Sequence, residues 1–332
     1  MSGIVQQTLR PYWSLNRRIW DRLPPSWRVS SVGRAYGRHL QSVVRSRVER
    51  KQYFGTFFLR NRAELELMRR LVGQKAANSR LTIAVLACSK GAEVYSIAWT
   101  IRTACPNLQL SVHAVDISEE ILQFAKDGVY SLLSPNTSRA QSLGRSGERE
   151  RVTWNTNRDQ NDASIFKYMT DEELEAMFEV EGGKATVRPW LKTGINWLHA
   201  DAGHSAFVDA LGSQDIVVAN RFLCHMSPEA ADSCLCNVAR LVKPGGYLFV
   251  SGIDLDVRTR IARAMGWTPV TDLMREIHEG DASLTDGWPL TYWGLEPFCT
   301  DRPDWRIRYA SVFQIGKTRA VADSAREHAV VG

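Results

Sequence analysis

The 332-residue chain has no stretch approaching the roughly 18 uncharged apolar residues that a helix needs to cross a bilayer. Its opening residues, Met1 to Leu9, lack the basic-then-apolar order of a secretory signal. Cysteine is sparse. The six residues are scattered singly apart from Cys234 and Cys236, and none stands in a paired metal-ligand spacing. This excludes a disulfide scaffold, offers no metal site and fits reduced thiols in a cytoplasm. No G-x-G-x-x-G fingerprint is present, which disfavours a diphosphate cofactor. Helix-turn-helix and zinc-finger patterns are missing too, so specific nucleic-acid recognition has no support. No internal repeat is visible.

What is present is ordinary globular composition, 44% hydrophobic and 23% charged, with an unusual eleven Trp that predict aromatic-lined surfaces. The net charge of +6 is unevenly spread: residues 1–80 hold 17 Lys/Arg against 4 Asp/Glu, and the rest of the chain is acidic. A basic head on an acidic body suits an acidic partner, either an acidic protein segment or an anionic membrane surface met peripherally. A solvated helical face, or docking of the head onto its own acidic body, accounts for the same charges.

Residues 1–30 are rich in Trp, Pro and Arg and read as partly irregular. Apolar spacing predicts helices over 32–52 and 62–73. From Leu81 the pattern changes to a run of small apolar residues, Leu81 to Ala87, as in a strand buried on both faces. A helix over 92–104, a strand over 109–115 and a helix over 119–126 follow, and this alternation implies βαβ units in a parallel sheet. Residues 134–165 read as a loop, 177–192 as a hairpin about Gly182-Gly183, and 195–198 and 215–219 as strands. A helix over 228–241 is expected to stop at Lys243-Pro-Gly-Gly246 before a strand over 247–251. A Trp-rich insertion over about 252–300 and a last strand over 307–315 complete an α/β fold: a doubly wound, mostly parallel sheet behind an N-terminal helical domain.

In such sheets ligands bind beyond the carboxyl ends of the strands, where the strand order reverses. The first strand ends in Ala87-Cys-Ser-Lys-Gly-Ala-Glu93, whose small residues around Ala87 and Ser89 let backbone approach a ligand, preferably a nucleoside without phosphate. Asp116 ends the second strand, where an acidic side chain can accept both ribose hydroxyls or cap the next helix, a task open to Ser118 as well. Asp201 can bond a base edge or cap its own loop. Asn220 and Arg221 follow the strand over 215–219, where the reactive end of a cofactor would lie, and His225 is the nearest candidate base.

This order of elements resembles the class I S-adenosylmethionine-dependent methyltransferases, which are Rossmann-like. Two stretches narrow the likeness: Gly91-Ala-Glu-Val-Tyr-Ser96 with Ile97-Ala98 is similar to G-E-E-P-Y-S-I-A, and Thr56-Phe-Phe-Leu-Arg60 to T-x-F-F-R, of the CheR-type chemoreceptor methyltransferases. Val115-Asp-Ile117, Gly128-Val-Tyr130 and Leu241-Val-Lys-Pro-Gly-Gly-Tyr-Leu248 fall in family order. The resemblance implies S-adenosyl-L-methionine as cofactor, Thr56 and Arg60 at its methionine end, Glu93 at its amino group, Asp116 and Ile117 at the ribose, and Asp201 near the adenine. It also implies an enzyme that methylates an oxygen of a protein carboxylate; the catalytic candidates are Arg60 or Arg221, either of which could orient that carboxylate, and His225, the candidate base for a hydroxyl acceptor. The expected division is a basic helical head over 1–75, a methyltransferase domain over 76–318 with a hairpin subdomain at about 176–192, and a tail over 319–332. Where the family has C-R-N-x-x-I-Y-F, this chain has Ala219-Asn-Arg-Phe-Leu-Cys-His225-Met226, with the polar pair reversed and His for Tyr. That departure lies on the acceptor side and keeps two alternatives open: a methyltransferase acting on the oxygen or nitrogen of a small molecule, and an inactive sensor that only binds the cofactor.

Overall fold

The computed structural model describes residues 2–45, 55–76, 78–132, 163–280, 288–290 and 295–316. Its helices are α1 Ser2–Arg22, α2 Pro25–Arg28, α3 Ser31–Arg45, α4 Arg62–Val72, α5 Ala92–Ala104, α6 Glu119–Asp127, α7 Asp171–Met177, α8 Pro189–Lys192, α9 Ser205–Leu211, α10 Pro228–Ala239, α11 Leu255–Ala264, α12 Met274–Glu279 and α13 Trp305–Tyr309. The strands are β1 Arg80–Leu86, β2 Gln109–Asp116, β3 Val129–Ser131, β4 Phe178–Glu181, β5 Lys184–Val187, β6 Ile195–His199, β7 Gln214–Val218, β8 Val242–Phe249, β9 Thr268–Pro269 and β10 Val312–Gln314.

Seven strands form one sheet in the order β6-β2-β1-β7-β8-β10-β9. β1 pairs in parallel with β2 on one side and β7 on the other, and β6 and β8 extend the parallel region outward. β10 alone runs antiparallel to both of its neighbours. The β1 side chains Leu81, Ile83, Ala84, Val85 and Leu86 are all fully buried, because helices cover both faces. Leu67 and Met68 of α4 and Val94 and Ile97 of α5 pack on one face; Leu235 and Val238 of α10 and Ile261 of α11 pack on the other. The chain turns back at β1, so the crevice between the ends of β1 and β7 is the switch point of this doubly wound α/β sheet.

Several expectations are corrected. Residues 1–30 are largely helical: Pro11 lies inside α1, and only Pro24 and Pro25 punctuate, with Pro25 starting α2. A proline inside a helix forfeits one hydrogen bond, but Trp20, packed edge-on against Trp288 at 4.9 Å, docks the helix regardless. Lys243-Pro-Gly-Gly246 does not end before the strand. β8 runs through it, with a register irregularity opposite Gln214–Ile216 and Gly245 at φ +81°. The last strand is shorter than expected, because residues 305–309 form α13. Arg308 there is buried against Glu296 at 2.7 Å, and Tyr309 bonds the same carboxylate at 2.8 Å. Two strands had no clear sequence signal: β9 in the insertion, and β3, which joins the predicted hairpin as a third strand. The helix expected to 52 is described to Arg45. Residues 133–162, most of the predicted loop, and the tail over 319–332 lie outside the described residues. The helix α4, read from the sequence as part of the head, contributes Leu67, Met68 and Val72 to the core of the sheet.

Candidate active site

Local geometry first opens the turn after β1. Ala87, Ser89 and Gly91 have φ of +52°, +50° and +82°. Only glycine adopts this region freely, and two non-glycine residues in it mark a backbone held by its surroundings. What holds it is specific. Cys88 N–H donates to Val115 O at 2.9 Å, Ser89 N–H donates to Asp116 Oδ2 at 2.8 Å, and Tyr130 Oη–H donates to Lys90 O at 2.6 Å. A Cβ at Gly91 would meet Ala125 Cβ at 3.0 Å and Trp197 at 3.2 Å, so the turn also packs too closely for a side chain.

Asp116 is buried at the end of β2, with Oδ1 accepting from Ser118 N–H at 3.0 Å. Ser118, not Asp116, caps α6. Burial raises the Asp116 carboxyl, and the N–H groups of Ser89, Ser118 and Ile117 partly offset the rise.

The segment 55–60 is clamped by Phe58, which is fully buried, stacked on Phe166 at 5.4 Å and edge-on to Phe178 at 5.0 Å. Leu59 N–H donates to Ser96 Oγ at 2.9 Å and ties the segment to α5. Thr56 and Arg60 on either side are thereby turned toward the sheet end, and the Arg60 guanidinium lies 5.1 Å over the Phe57 ring.

Asn220 follows β7 and is the hub of the site. Its Oδ1 accepts from Ser251 N–H at 3.0 Å and Ser251 Oγ–H at 2.8 Å. Because the backbone N–H can only donate, the amide orientation is settled, and Nδ2 must face the other way. There it donates to Glu93 Oε1 and to Glu64 Oε1, both at 2.8 Å. Burial, then the nearby Glu93 charge, pushes Glu64 up to about 8 against the opposing pull of Asn220 and Arg60. Glu93 is likewise raised by burial.

These groups line one cavity of about 350 Å³, within the size range of small-molecule sites. Thr56, Arg60, Ala87, Ser89, Glu93, Asp116, Ile117, Asp201, Asn220, Arg221 and His225 all stand on its wall, so every site residue read from the sequence is brought there. Asp201 is also engaged with its own turn, where Oδ1 accepts from Gly203 N–H at 2.8 Å, the loop-capping alternative. Sequence reasoning missed Glu64, Phe57, Phe222 and Met226. Glu64 left a trace: it shares the buried face of α4 with Leu67, Met68 and Val72, and a carboxylate on an apolar stripe calls for a partner.

Residues 55–147 match the family described as CheR methyltransferase, SAM binding domain. Over those residues the chain is similar to that family. Residues 165–250 match a second description, Methyltransferase domain. A chemotaxis protein methyltransferase 1 of Vibrio cholerae is 29% identical over 192 residues, which cover 56% of this chain and 58% of that protein. One of the same name from Pseudomonas aeruginosa is 27% identical over 59% of this chain and 61% of its own length. The CheR-like chain thus spans under two thirds of these relatives. An O-methyltransferase family protein from Burkholderia thailandensis superposes at a TM-score of 0.31 and 15% identity, covering 75% of this chain and 61% of that one, too remote to carry an argument. No helix among the described residues is long and apolar enough to cross a membrane.

Proposed function

We propose that this CheR-like chain is an S-adenosylmethionine-dependent methyltransferase whose acceptor is a carboxylate oxygen of a protein. The gathering of the glycine turn, the strand-end carboxylate, Arg60 and Glu93 on the wall of one cavity carries this reading. The donor set fits the cofactor. Asp116 keeps acceptor capacity beside an open backbone turn, as a ribose diol requires, and the half-exposed Ile117 offers apolar surface to a base with Asp201 beside it. Arg60 matches the cofactor's carboxylate and Glu93 its ammonium group. Thr56, Ala87 and Ser89 close the wall between them.

When bound, S-adenosylmethionine supplies the activated methyl group, and what remains for the protein is to position the acceptor in line with it. A carboxylate acceptor is ionised at neutral pH and needs no base; Arg221, or Arg60, can orient it. A hydroxyl acceptor would need its proton removed, and His225, with Phe222 and Met226 on the same wall, favours a small-molecule acceptor as the second reading.

The basic head, with Arg17, Arg18 and Arg22 exposed, is the surface proposed to meet an acidic acceptor segment. None of the six cysteines stands in a disulfide, which supports a cytoplasmic setting. The test is incubation with methyl-labelled S-adenosylmethionine and host lysate. Alkali-labile label on protein is the expected result, an extractable labelled metabolite supports the second reading, and tight binding without turnover makes the protein a sensor.

A further inference from the structure

Glu64 has no part in the proposed function, yet it is a buried carboxylate on the cavity wall. It is a carboxylate only 6% exposed, on the first turn of α4, 2.8 Å from the same amide nitrogen that bonds Glu93. Each carboxylate takes one hydrogen of the Asn220 NH2 group, so their oxygens stand at most twice that distance apart. Two like charges this close, one buried and one partly buried, are unfavourable unless a cation or a proton lies with them. Uncompensated, the arrangement would be a liability to the fold. Opening onto a ligand cavity, it is a receptor for positive charge.

We propose that Glu64 is a ligand-recognition residue, forming with Glu93 across the Asn220 amide a two-carboxylate seat for the cationic aminoacyl end of the methyl donor. This rests on the cofactor reading above and extends it. The donor carries two positive groups, ammonium and sulfonium, and one carboxylate. Arg60 matches the carboxylate, and Glu64 and Glu93 together match the two cations. The demethylated product keeps only the ammonium, so the second carboxylate favours substrate over product.

Before the donor binds, the seat holds one proton near neutral pH, because Glu64 is pushed up to about 8. On binding, the carboxylic O–H bond breaks, its electron pair stays on the carboxylate, and the proton passes to buffer. The other charged or titratable groups on the wall that Glu64 shares are Arg60, whose charge acts on Glu64, Asp116 from β2, Cys88 after β1, Asp201 after β6, and Arg221 and His225 after β7. Behind α4, α12 brings His278, which burial holds down to about 4 and so keeps neutral. Of these, His225 is the histidine on the same cavity wall, and its variant must be measured in parallel.

The test is calorimetry of S-adenosylmethionine and S-adenosylhomocysteine binding to the full chain, in buffers of different ionisation enthalpy, from about pH 6 to 8. Expected for the wild type is net proton release on binding the donor, with Kd falling by up to about tenfold per pH unit below the titration of the seat. Glu64→Gln, which keeps an oxygen for the Asn220 N–H, is expected to abolish the release, flatten the pH profile and shrink the preference for donor over product. His225→Gln is expected to leave the release in place. Donor binding without proton release in the wild type, or a Glu64→Gln variant with unchanged release and selectivity, would overturn the proposal while leaving the cofactor reading intact. Absence of donor binding at every pH would instead overturn the cofactor reading itself. Should Glu64→Gln fail to fold, the wild-type proton count still decides.

Discussion

Replacing Asp116 by Ala separates the two tasks that the structure gives this carboxylate. It accepts from Ser89 N–H at 2.8 Å and Ser118 N–H at 3.0 Å while lining the cavity. Hydrogen bonds to a charged group are worth roughly 1.5–3 kcal/mol each, and truncation strands two donors that water can only partly satisfy, so a stability loss of about 3 kcal/mol is expected. At about 2–4 °C per kcal/mol for a chain somewhat smaller than this, the melting temperature should fall by several degrees. On the ligand side, removing charge-assisted bonds to the ribose should raise the Kd for S-adenosylmethionine at least tenfold, or about 1.4 kcal/mol. Calorimetry well below the variant's transition, with circular dichroism to show a native fold, keeps the effects apart. A folded variant with unchanged Kd would refute the ribose role, whereas a lowered melting temperature alone would leave Asp116 as a brace for the turn.

Three further outcomes are expected. Gly91→Ala forces a Cβ into φ +82°, against Ala125 at 3.0 Å and Tyr95 at 3.3 Å, and should cost at least the roughly 1–2 kcal/mol of a left-handed residue while weakening cofactor binding; thermal melts and calorimetry check both. Asp215, at the far end of β7, is pushed up by burial, but its bonds to Thr82 and Lys75 prevail and hold it at about 2. A carboxyl depressed from 3.8 stabilises the fold above its ordinary value and loses that contribution as pH falls through about 2. Denaturation of Asp215→Asn should therefore show the widest gap to wild type above about pH 4 and a closing gap toward pH 2; a gap independent of pH would contradict the assignment. His225→Ala should leave transfer to a carboxylate nearly unchanged and abolish transfer to a hydroxyl, as read from the alkali lability of the labelled product.

Much of this protein is written locally in its chain. The run Leu81 to Leu86 reads as a strand covered on both faces, and Gly91 followed by a largely buried helix sets the turn that admits a ligand. Thr56, Arg60 and Asp116 could be named in advance because their positions follow from strand ends and from a short, specific motif. Local signals did not suffice where long-range packing prevailed. The strand expected over 307–315 yields residues 305–309 to a helix, because Arg308 and Tyr309 find Glu296. Pro11 does not break α1, whose Trp20 is anchored on Trp288.

The Glu64–Asn220–Glu93 bridge joins three residues far apart in sequence, on α4, after β7 and on α5. Glu64 by itself reads as one more charge on an amphipathic helix. Composition and periodicity decided the layers and the crevice, since burial of apolar faces is additive and local. Only the folded chain could decide which charges share the crevice, because an electrostatic environment is set by neighbours that sequence distance does not reveal.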